Sequence, residues 1–154
     1  MRVTRLEGGG HSPKQLVAVL DKVRGAYQLQ GAALCSVVPK SNRSWIAALR
    51  KVTGQPPLVI HHELELGVRI RYPRPQRIGP DRLANASQAV AQFGVPVIVA
   101  DFGTALTFDV VSQDAEYIGG AIAPGLPLMT DYLAEKTALL PHIHLTGRPP
   151  AIGR

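Results

Sequence analysis

Three consecutive strand-like segments between residues 97 and 122 constrain the fold of this chain more than any other feature. An apolar run from Val97 to Ala100 leads into Asp101-Phe102-Gly103-Thr104, and a second strand-like run, Phe108 to Val111, follows. Glycine permits a tight bend, and Gln113-Asp114 supplies a second turn. We therefore expect strands near 97–101, 105–111 and 116–122, joined by short connections.

Helices and short strands alternate along the rest of the chain. Ser12, Pro13 and Gln15 form a capping box typical of a helix start. Further helices are predicted from near Ser41, over 83–93, and from 124–125 to about 136. Further strands are predicted at 32–38, 58–60 and around 68–72. This alternation favours an α/β fold with a mixed sheet. The aromatic content of only 5% implies an aliphatic core, to which we assign Met129, Leu133 and Leu139.

A change in organisation near residue 95 suggests two parts. We expect an N-terminal lobe over residues 1–95 and the start of a second lobe over residues 96–154. Only three strands and one helix are predicted after the boundary, so we expect this second lobe to be incomplete.

The chain is basic, with a formal charge of +6 and a pI near 9.9. Nucleic-acid binding, an anionic small substrate and ordinary solvated surface all explain such a bias. The arginines are dispersed and have few aromatic neighbours, so we favour surface and do not expect nucleic-acid binding. One small group of arginines comprises Arg69, Arg71, Arg74 and Arg77.

Cys35 is the single cysteine, so an intramolecular disulfide is impossible. Its apolar neighbours predict a buried structural thiol rather than a nucleophile. No apolar run is long enough to cross a membrane, and the N-terminus has no signal-peptide core. We therefore expect a cytoplasmic protein without membrane association.

Gly79-Pro80-Asp81-Arg82 places a carboxylate and a guanidinium side by side where a proline-rich loop enters a helix. One interpretation is structural, with Pro80 in the first turn and Asp81 at the positive helix end. The other is catalytic: an aspartate accepts the proton of an attacking hydroxyl beside an arginine that binds an anion.

Asp101 either caps a turn or helps to form a cradle for phosphate and a cation with Gly103, Thr104 and Thr107. Asp101-Phe102-Gly103 also spells the metal-binding tripeptide of protein kinases, but the other kinase motifs are missing. A second glycine-rich stretch, 117–125, is either turn chemistry or an anion site at a helix start. For His61-His62 and for His142 and His144 we expect surface positions, because no further metal ligands accompany them.

The order of these motifs resembles that of the type III pantothenate kinases, in the superfamily of acetate and sugar kinases, heat-shock ATPases and actin. The resemblance runs from about Ala32 to Arg154. It implies a ribonuclease H-like (actin-like ATPase) fold, with a mixed sheet flanked by helices. The motifs that carry it are Ser36-Val37-Val38-Pro39, Tyr72 with its prolines, Gly79 to Arg82, Asp101 to Ala105, Tyr117 to Gly125, and Thr137 to Pro141.

The resemblance also implies roles for individual residues. Asp81 matches the catalytic base that deprotonates pantothenate, and Tyr72, Gly79, Pro80 and Arg82 match substrate contacts. Thr104 with Gly103 matches a contact to ATP phosphates, and Asp101 matches the ligand of a monovalent cation, K⁺ or NH₄⁺. Family members use ATP with Mg²⁺ and form homodimers. The implied reaction converts pantothenate to 4′-phosphopantothenate, the first step of coenzyme A synthesis.

One departure from the family pattern concerns the first phosphate loop. Family chains open with a strand that bears D-x-G-N-T, and no such motif precedes Ala32 here. The family's substrate-contacting threonine and its later glycine-rich adenosine-binding segment also have no match up to Arg154. We therefore expect a chain truncated at both ends and weak or inactive by itself. The alternative is a non-catalytic relative, such as the Baf-type accessory proteins that influence transcription.

Overall fold

The computed structural model describes residues 10–139, in which four α-helices and six β-strands occur. Helix α1 spans Pro13–Arg24 and begins with the predicted capping box: Ser12 Oγ accepts from the Gln15 amide, and Gln15 Oε1 accepts from the Ser12 amide. Helix α2 spans Pro39–Thr53, so it starts before the predicted Ser41. The two helices pack against each other.

A small parallel sheet joins β1, Ala33–Leu34, to β2, Leu58–Val59. The prediction of a buried strand over 32–38 was wrong, because only Leu34 is buried there and the strand is two residues long. Ser36 Oγ accepts a hydrogen bond from the Val38 amide at 3.1 Å. This local bond replaces a pairing between strands, and α2 begins directly afterwards.

The larger sheet has four strands: β3, Arg69–Ile70; β4, Val97–Phe102; β5, Ala105–Val111; and β6, Glu116–Pro124. Their spatial order is β3-β6-β5-β4. The pairs β4–β5 and β5–β6 are antiparallel, whereas β3 runs parallel to β6. The predicted mixed sheet is confirmed, and the three predicted strands after residue 95 all form.

Helix α3 spans Pro80–Phe93 and packs on β4 and β5. It follows a short 3-10 turn, Pro75–Arg77, and ends at Gly94 as predicted. Helix α4 spans Leu126–Lys136 and contacts β5. The helices predicted over 83–93 and from 124–125 to about 136 are therefore confirmed, the first starting three residues earlier than predicted, and both flank the mixed sheet.

The main core lies between α3 and the larger sheet. Partly buried side chains of β3, β4 and α3 surround it, among them Ile70, Val90 and Val97. Segments on both sides of residue 95 contribute to this core, while the division into two lobes stays a prediction. The buried members are Val68, Ile78, Leu83, Ala86, Val111 and Tyr117.

Two predictions of burial were wrong. Cys35 is exposed, since it follows the two-residue β1 and has no strand neighbour of its own. Met129, Leu133 and Leu139 are 38%, 40% and 93% exposed. Helical spacing indicates which residues share a face, but whether another element covers that face depends on the tertiary structure.

The predicted surface positions of the histidines can be compared with the structure only for His61 and His62. His61 is exposed, and its ring meets that of His62 edge-on. His142 and His144 lie outside the described residues, as does the end of the Thr137 to Pro141 motif. Within residues 10–139, no helix has both the length and the apolar character that crossing a membrane would require.

Candidate active site

Asp81 lies in the first turn of α3, with Gly79 as the N-cap and Pro80 at the helix start. Its side chain is exposed, and the positive end of the helix favours its negative charge. A Cβ atom at position 79 would overlap Oδ1 of Asp81, so glycine leaves room for the carboxylate there. The structural and the catalytic interpretations of Asp81 are thus compatible: the residue stabilises the helix and keeps a free carboxylate.

The negative charge of Asp81 acts electrostatically on the thiol of Cys35. Although Cys35 as a whole residue is exposed, partial desolvation of its thiol raises the pKa of Cys35, and the negative charge of Asp81 raises it further. A thiol with a raised pKa is a poor nucleophile, which agrees with a non-catalytic cysteine.

Arg82 turns toward β5 and forms an ion pair with Asp109. The Nε and Nη2 atoms of Arg82 both lie 2.7 Å from Asp109 Oδ1. Nη2 also donates to the carbonyl oxygen of Phe108 at 3.2 Å. Tyr117 donates its hydroxyl proton to the same Oδ1 at 2.5 Å. Asp109 is fully buried, so three donor atoms converge on a carboxylate in the interior.

Tyr117 responds strongly to this environment. Burial raises the pKa of its phenol, and the hydrogen bond to Asp109 and the negative charge of Asp109 raise it further. The positive charge of Arg82 acts in the opposite direction and is outweighed. The Tyr117 phenol therefore stays protonated near neutral pH and keeps donating its hydrogen bond to Asp109.

Tyr72 and Arg82 approach neighbouring glycines of β6. The Tyr72 ring would lie 3.5 Å from a Cβ at Gly119, where φ is +117°. Arg82 Nη2 would lie 3.1 Å from a Cβ at Gly120, and the same Cβ would overlap the carbonyl oxygen of Phe108. The two glycines therefore let two predicted substrate contacts pack against one strand.

The arginine group divides into two pairs. Arg69 and Arg71 form ion pairs with Glu116 at 3.4 and 3.1 Å. Arg74 and Arg77 instead line a cavity of about 240 Å³, together with Tyr72 and Pro73. The latter pair places positive charge next to the predicted substrate contact Tyr72.

Asp101 is the next-to-last residue of β4 and lies beside α3. Asn85 Nδ2, on that helix, donates to Asp101 Oδ2 at 3.2 Å. Asn85 is four residues after Asp81, so both project from the same face of the helix. Asp81 therefore lies one helical turn from the residue that binds Asp101. Oδ1 of Asp101 has no partner among the described residues, and the side chain is exposed.

Gly103 and Thr104 form the bend between β4 and β5, next to the start of α4. The Gly125 amide donates to the Thr104 carbonyl oxygen at 2.9 Å, and a Cβ at position 125 would overlap the carbonyl oxygens of both bend residues. This close approach positions the helix start against the bend. A cavity of about 380 Å³ opens here, lined by Phe102, Gly103, Thr104, Leu106, Gly125, Leu126 and Met129.

A groove of about 540 Å³ adjoins this cavity between α3 and β4. Asn85, Gln88, Gln92 and Asp101 line it, and Phe102 lines both the groove and the cavity. The predicted cation ligand therefore lies next to the predicted phosphate contacts. Among residues 10–139, no group of three His, Cys, Asp or Glu side chains could hold a metal ion.

The sequence analysis missed Asp109 and Asn85. Asp109 interrupts an otherwise apolar strand, and buried aspartates nearly always have a partner, so its position was a usable signal. Nothing in the sequence pattern distinguishes Asn85 from the other polar residues of α3.

Comparison with known proteins decides the family. The sequence model of the type III pantothenate kinases matches residues 5–154. The chain belongs to the type III pantothenate kinase family. Its mixed sheet flanked by helices is consistent with the actin-like ATPase fold expected for the family.

Individual relatives carry the same name. The type III pantothenate kinase of Akkermansia muciniphila is 46% identical over 127 residues, which cover 80% of this chain and 50% of the relative. That of Moorella thermoacetica is 42% identical, covering 82% and 50%, and that of Methylacidiphilum infernorum is 43% identical, covering 81% and 45%. The chain thus spans about half the length of the curated relatives it matches.

Proposed function

We propose that this protein phosphorylates pantothenate with ATP and so catalyses the first step of coenzyme A synthesis. The hydroxyl oxygen of pantothenate forms a bond to the γ-phosphorus of ATP, and the bond from that phosphorus to the β–γ bridging oxygen breaks. ADP leaves, and the hydroxyl proton passes to a base. Membership of the family supports this reaction.

Asp81 is our proposed base. Its carboxylate is exposed at the start of α3, and the ion pair of the neighbouring Arg82 fixes the same helical turn. An aspartate that accepts the proton of the attacking hydroxyl is the usual device in phosphoryl transfer. The observation that carries the proposal is the Asn85–Asp101 hydrogen bond, since it links Asp101 to the helix that bears Asp81, one turn from Asp81.

Pantothenate would contact Tyr72 and the segment from Gly79 to Arg82. Gly119 and Gly120 support this assignment, because they bring Tyr72 and Arg82 against the same strand. The positive charges of Arg74 and Arg77 near Tyr72 suit an anionic substrate.

ATP phosphates would bind at the bend formed by Gly103 and Thr104, where the adjoining cavity has room for them. The amide groups at the start of α4 add a favourable environment for anions. Asp101 would hold a monovalent cation, K⁺ or NH₄⁺, through its free carboxylate oxygen. Such a cation would supply positive charge beside the phosphates.

Mg²⁺ would arrive with ATP. Kinase sites hold this ion mainly through phosphate oxygens, waters and one or two carboxylates. That mode of binding needs no cluster of three protein ligands, and residues 10–139 contain none.

We also propose a homodimer, and a cytoplasmic location because ATP is available there. Exposed apolar side chains on β4, with Ile98 at 67% and Phe102 at 71%, support association between copies.

Turnover and binding together test this proposal. The chain is incubated with pantothenate, ATP, Mg²⁺ and K⁺, and 4′-phosphopantothenate is followed by mass spectrometry, while calorimetry measures the binding of pantothenate. Because we expect the chain to be weak by itself, we expect slow formation of product that is lost in Asp81→Asn and retained in Asp114→Asn, an exposed acid in the turn after β5. Product that persists in Asp81→Asn would contradict the catalytic assignment, and a chain that neither binds pantothenate nor forms product would contradict the function.

A non-catalytic role in transcription is not favoured. The curated relatives reported above carry the kinase name, and the hydrogen bond that joins Asp101 to the helix bearing Asp81 supports a kinase site. DNA titration at two salt concentrations provides the check. Salt-sensitive binding to DNA, in a chain that does not bind pantothenate, would reverse this preference.

A further inference from the structure

Asp109 is a buried charge that the proposed reaction does not use. It lies on β5 with no exposed surface, and its Oδ1 accepts from Arg82 and from Tyr117. Its second oxygen, Oδ2, is buried and has no hydrogen-bond partner among the described residues. Such an arrangement demands an explanation, because a buried carboxylate with an unsatisfied oxygen opposes folding.

Stability alone does not explain the ion pair. Removing two charges from water costs nearly as much as their attraction returns, and apolar residues of similar volume often serve stability equally well. The pair does, however, fix the orientation of the Arg82 side chain. Two guanidinium atoms share one carboxylate oxygen, and Nη2 also donates to the Phe108 carbonyl oxygen. Arg82 is therefore held at three contacts to β5.

These contacts restrain the first turn of α3, which bears the proposed base Asp81. Arg82 directly follows Asp81 in the first turn of α3, so holding Arg82 on β5 also fixes the turn. Gly120 makes space for the guanidinium, since a Cβ there would lie 3.1 Å from Nη2. Nη1 of Arg82 has no partner among the described residues, and 16% of the Arg82 side chain is exposed.

We propose that Asp109 is a positioning residue: it holds Arg82 against β5, and thereby fixes the Gly79–Arg82 segment for pantothenate while leaving Nη1 as a donor. The proposal rests on the function proposed above. Asp109 touches neither substrate nor the transferred phosphoryl group.

Two variants separate positioning from simple stability. Asp109→Asn keeps the shape of the side chain and removes the charge that binds Arg82. Tyr117→Phe removes the other hydrogen bond to the same oxygen and leaves Arg82 in place. Hydrogen exchange over residues 78–83 measures how firmly the Gly79–Arg82 segment is held. The KM values for pantothenate and for ATP measure whether substrate binding depends on that segment.

For Asp109→Asn we expect exchange over residues 78–83 and KM for pantothenate to rise about tenfold, the factor expected from loss of a hydrogen bond between charged groups. KM for ATP should stay within about twofold. Tyr117→Phe should leave both KM values within about twofold of the wild type, and its exchange should rise no more over residues 78–83 than over the rest of α3. Equal effects of the two variants would overturn the proposal, because they would show a role in stability only.

If Asp109→Asn does not fold, Arg82→Lys replaces it as the test of the positioning role, because lysine keeps the positive charge but lacks the Nε donor. Faster exchange over residues 78–83 would support the positioning role, and unchanged exchange would overturn it. Failure of the proposed function is distinguishable: the wild-type protein would then form no 4′-phosphopantothenate, while the exchange difference between the variants would persist.

Discussion

The hydroxyl of Tyr117 lies 2.5 Å from Oδ1 of Asp109, the same oxygen that binds Arg82. This contact joins β6 to β5 in the interior and links the core to the first turn of α3. Tyr117 is 1% exposed and Asp109 is fully buried, so water cannot replace either partner. The stability of the fold and the geometry of the candidate site therefore share one hydrogen-bonded group.

Tyr117→Phe should lower the free energy of unfolding by about 1–3 kcal/mol, because the variant leaves a buried carboxylate with one donor fewer. Urea denaturation at pH 7 measures the difference. Tyr27→Phe is the control, since Tyr27 is 78% exposed. Equal stability of the Tyr117 variant and the wild type would show that the hydroxyl contributes nothing.

The same tyrosine should make stability fall at alkaline pH. Its pKa is raised in the folded protein by burial and by Asp109. Above about pH 10, the unfolded chain loses the phenolic proton whereas the folded chain keeps it. Unfolding is therefore favoured as pH rises through that range. Denaturation curves between pH 8 and 11 should show a smaller alkaline loss for Tyr117→Phe than for the wild type.

Asp81→Asn should reduce kcat by about 10²–10⁴, the range for loss of a general base. Stability should fall by no more than about 1 kcal/mol, because only a favourable interaction with the helix end is lost. Steady-state kinetics and thermal unfolding measure the two effects. Asp114→Asn should change neither, and a comparable loss of kcat in that control would point to a general effect of charge.

Gly125→Ala should destabilise the bend between β4 and β5 by about 1–3 kcal/mol, because the new methyl group overlaps two backbone carbonyls. Gly103→Ala is the matched control: its Cβ would meet the Ala105 carbonyl oxygen at an ordinary 3.6 Å. We expect that control to change stability by less than about 0.5 kcal/mol. Thermal unfolding without ATP compares them, and equal stability of both variants would contradict the close approach at Gly125.

Leu83→Ala should destabilise the protein by about 2–5 kcal/mol, since Leu83 is 0% exposed in the core beneath α3. Leu58→Ala, at a side chain that is 54% exposed, should lose much less. Chemical denaturation of both variants gives the comparison. A loss at Leu83 no larger than that at Leu58 would mean that the core is not packed as described.

Local sequence patterns predicted the elements whose signals are themselves local. The capping box at Ser12, the stop at Gly94 and the strands after residue 95 depend on neighbouring residues, and each was confirmed. The segment 32–38 was predicted wrongly because an apolar run does not reveal that Ser36 bonds to the Val38 amide. Met129, Leu133 and Leu139 failed for a related reason, since their burial depends on elements distant in the sequence.

By itself, then, the sequence determined the α/β class and pointed to Asp81, Arg82, Asp101 and Thr104, because motif spacing and local backbone preferences are written along the chain. Only the tertiary structure decided that Arg82 pairs with Asp109 and that Asn85 joins Asp101 to α3. These partners lie 27 and 16 residues apart. Contacts at such separations form only when the sheet and α3 pack together, and no local pattern specifies them.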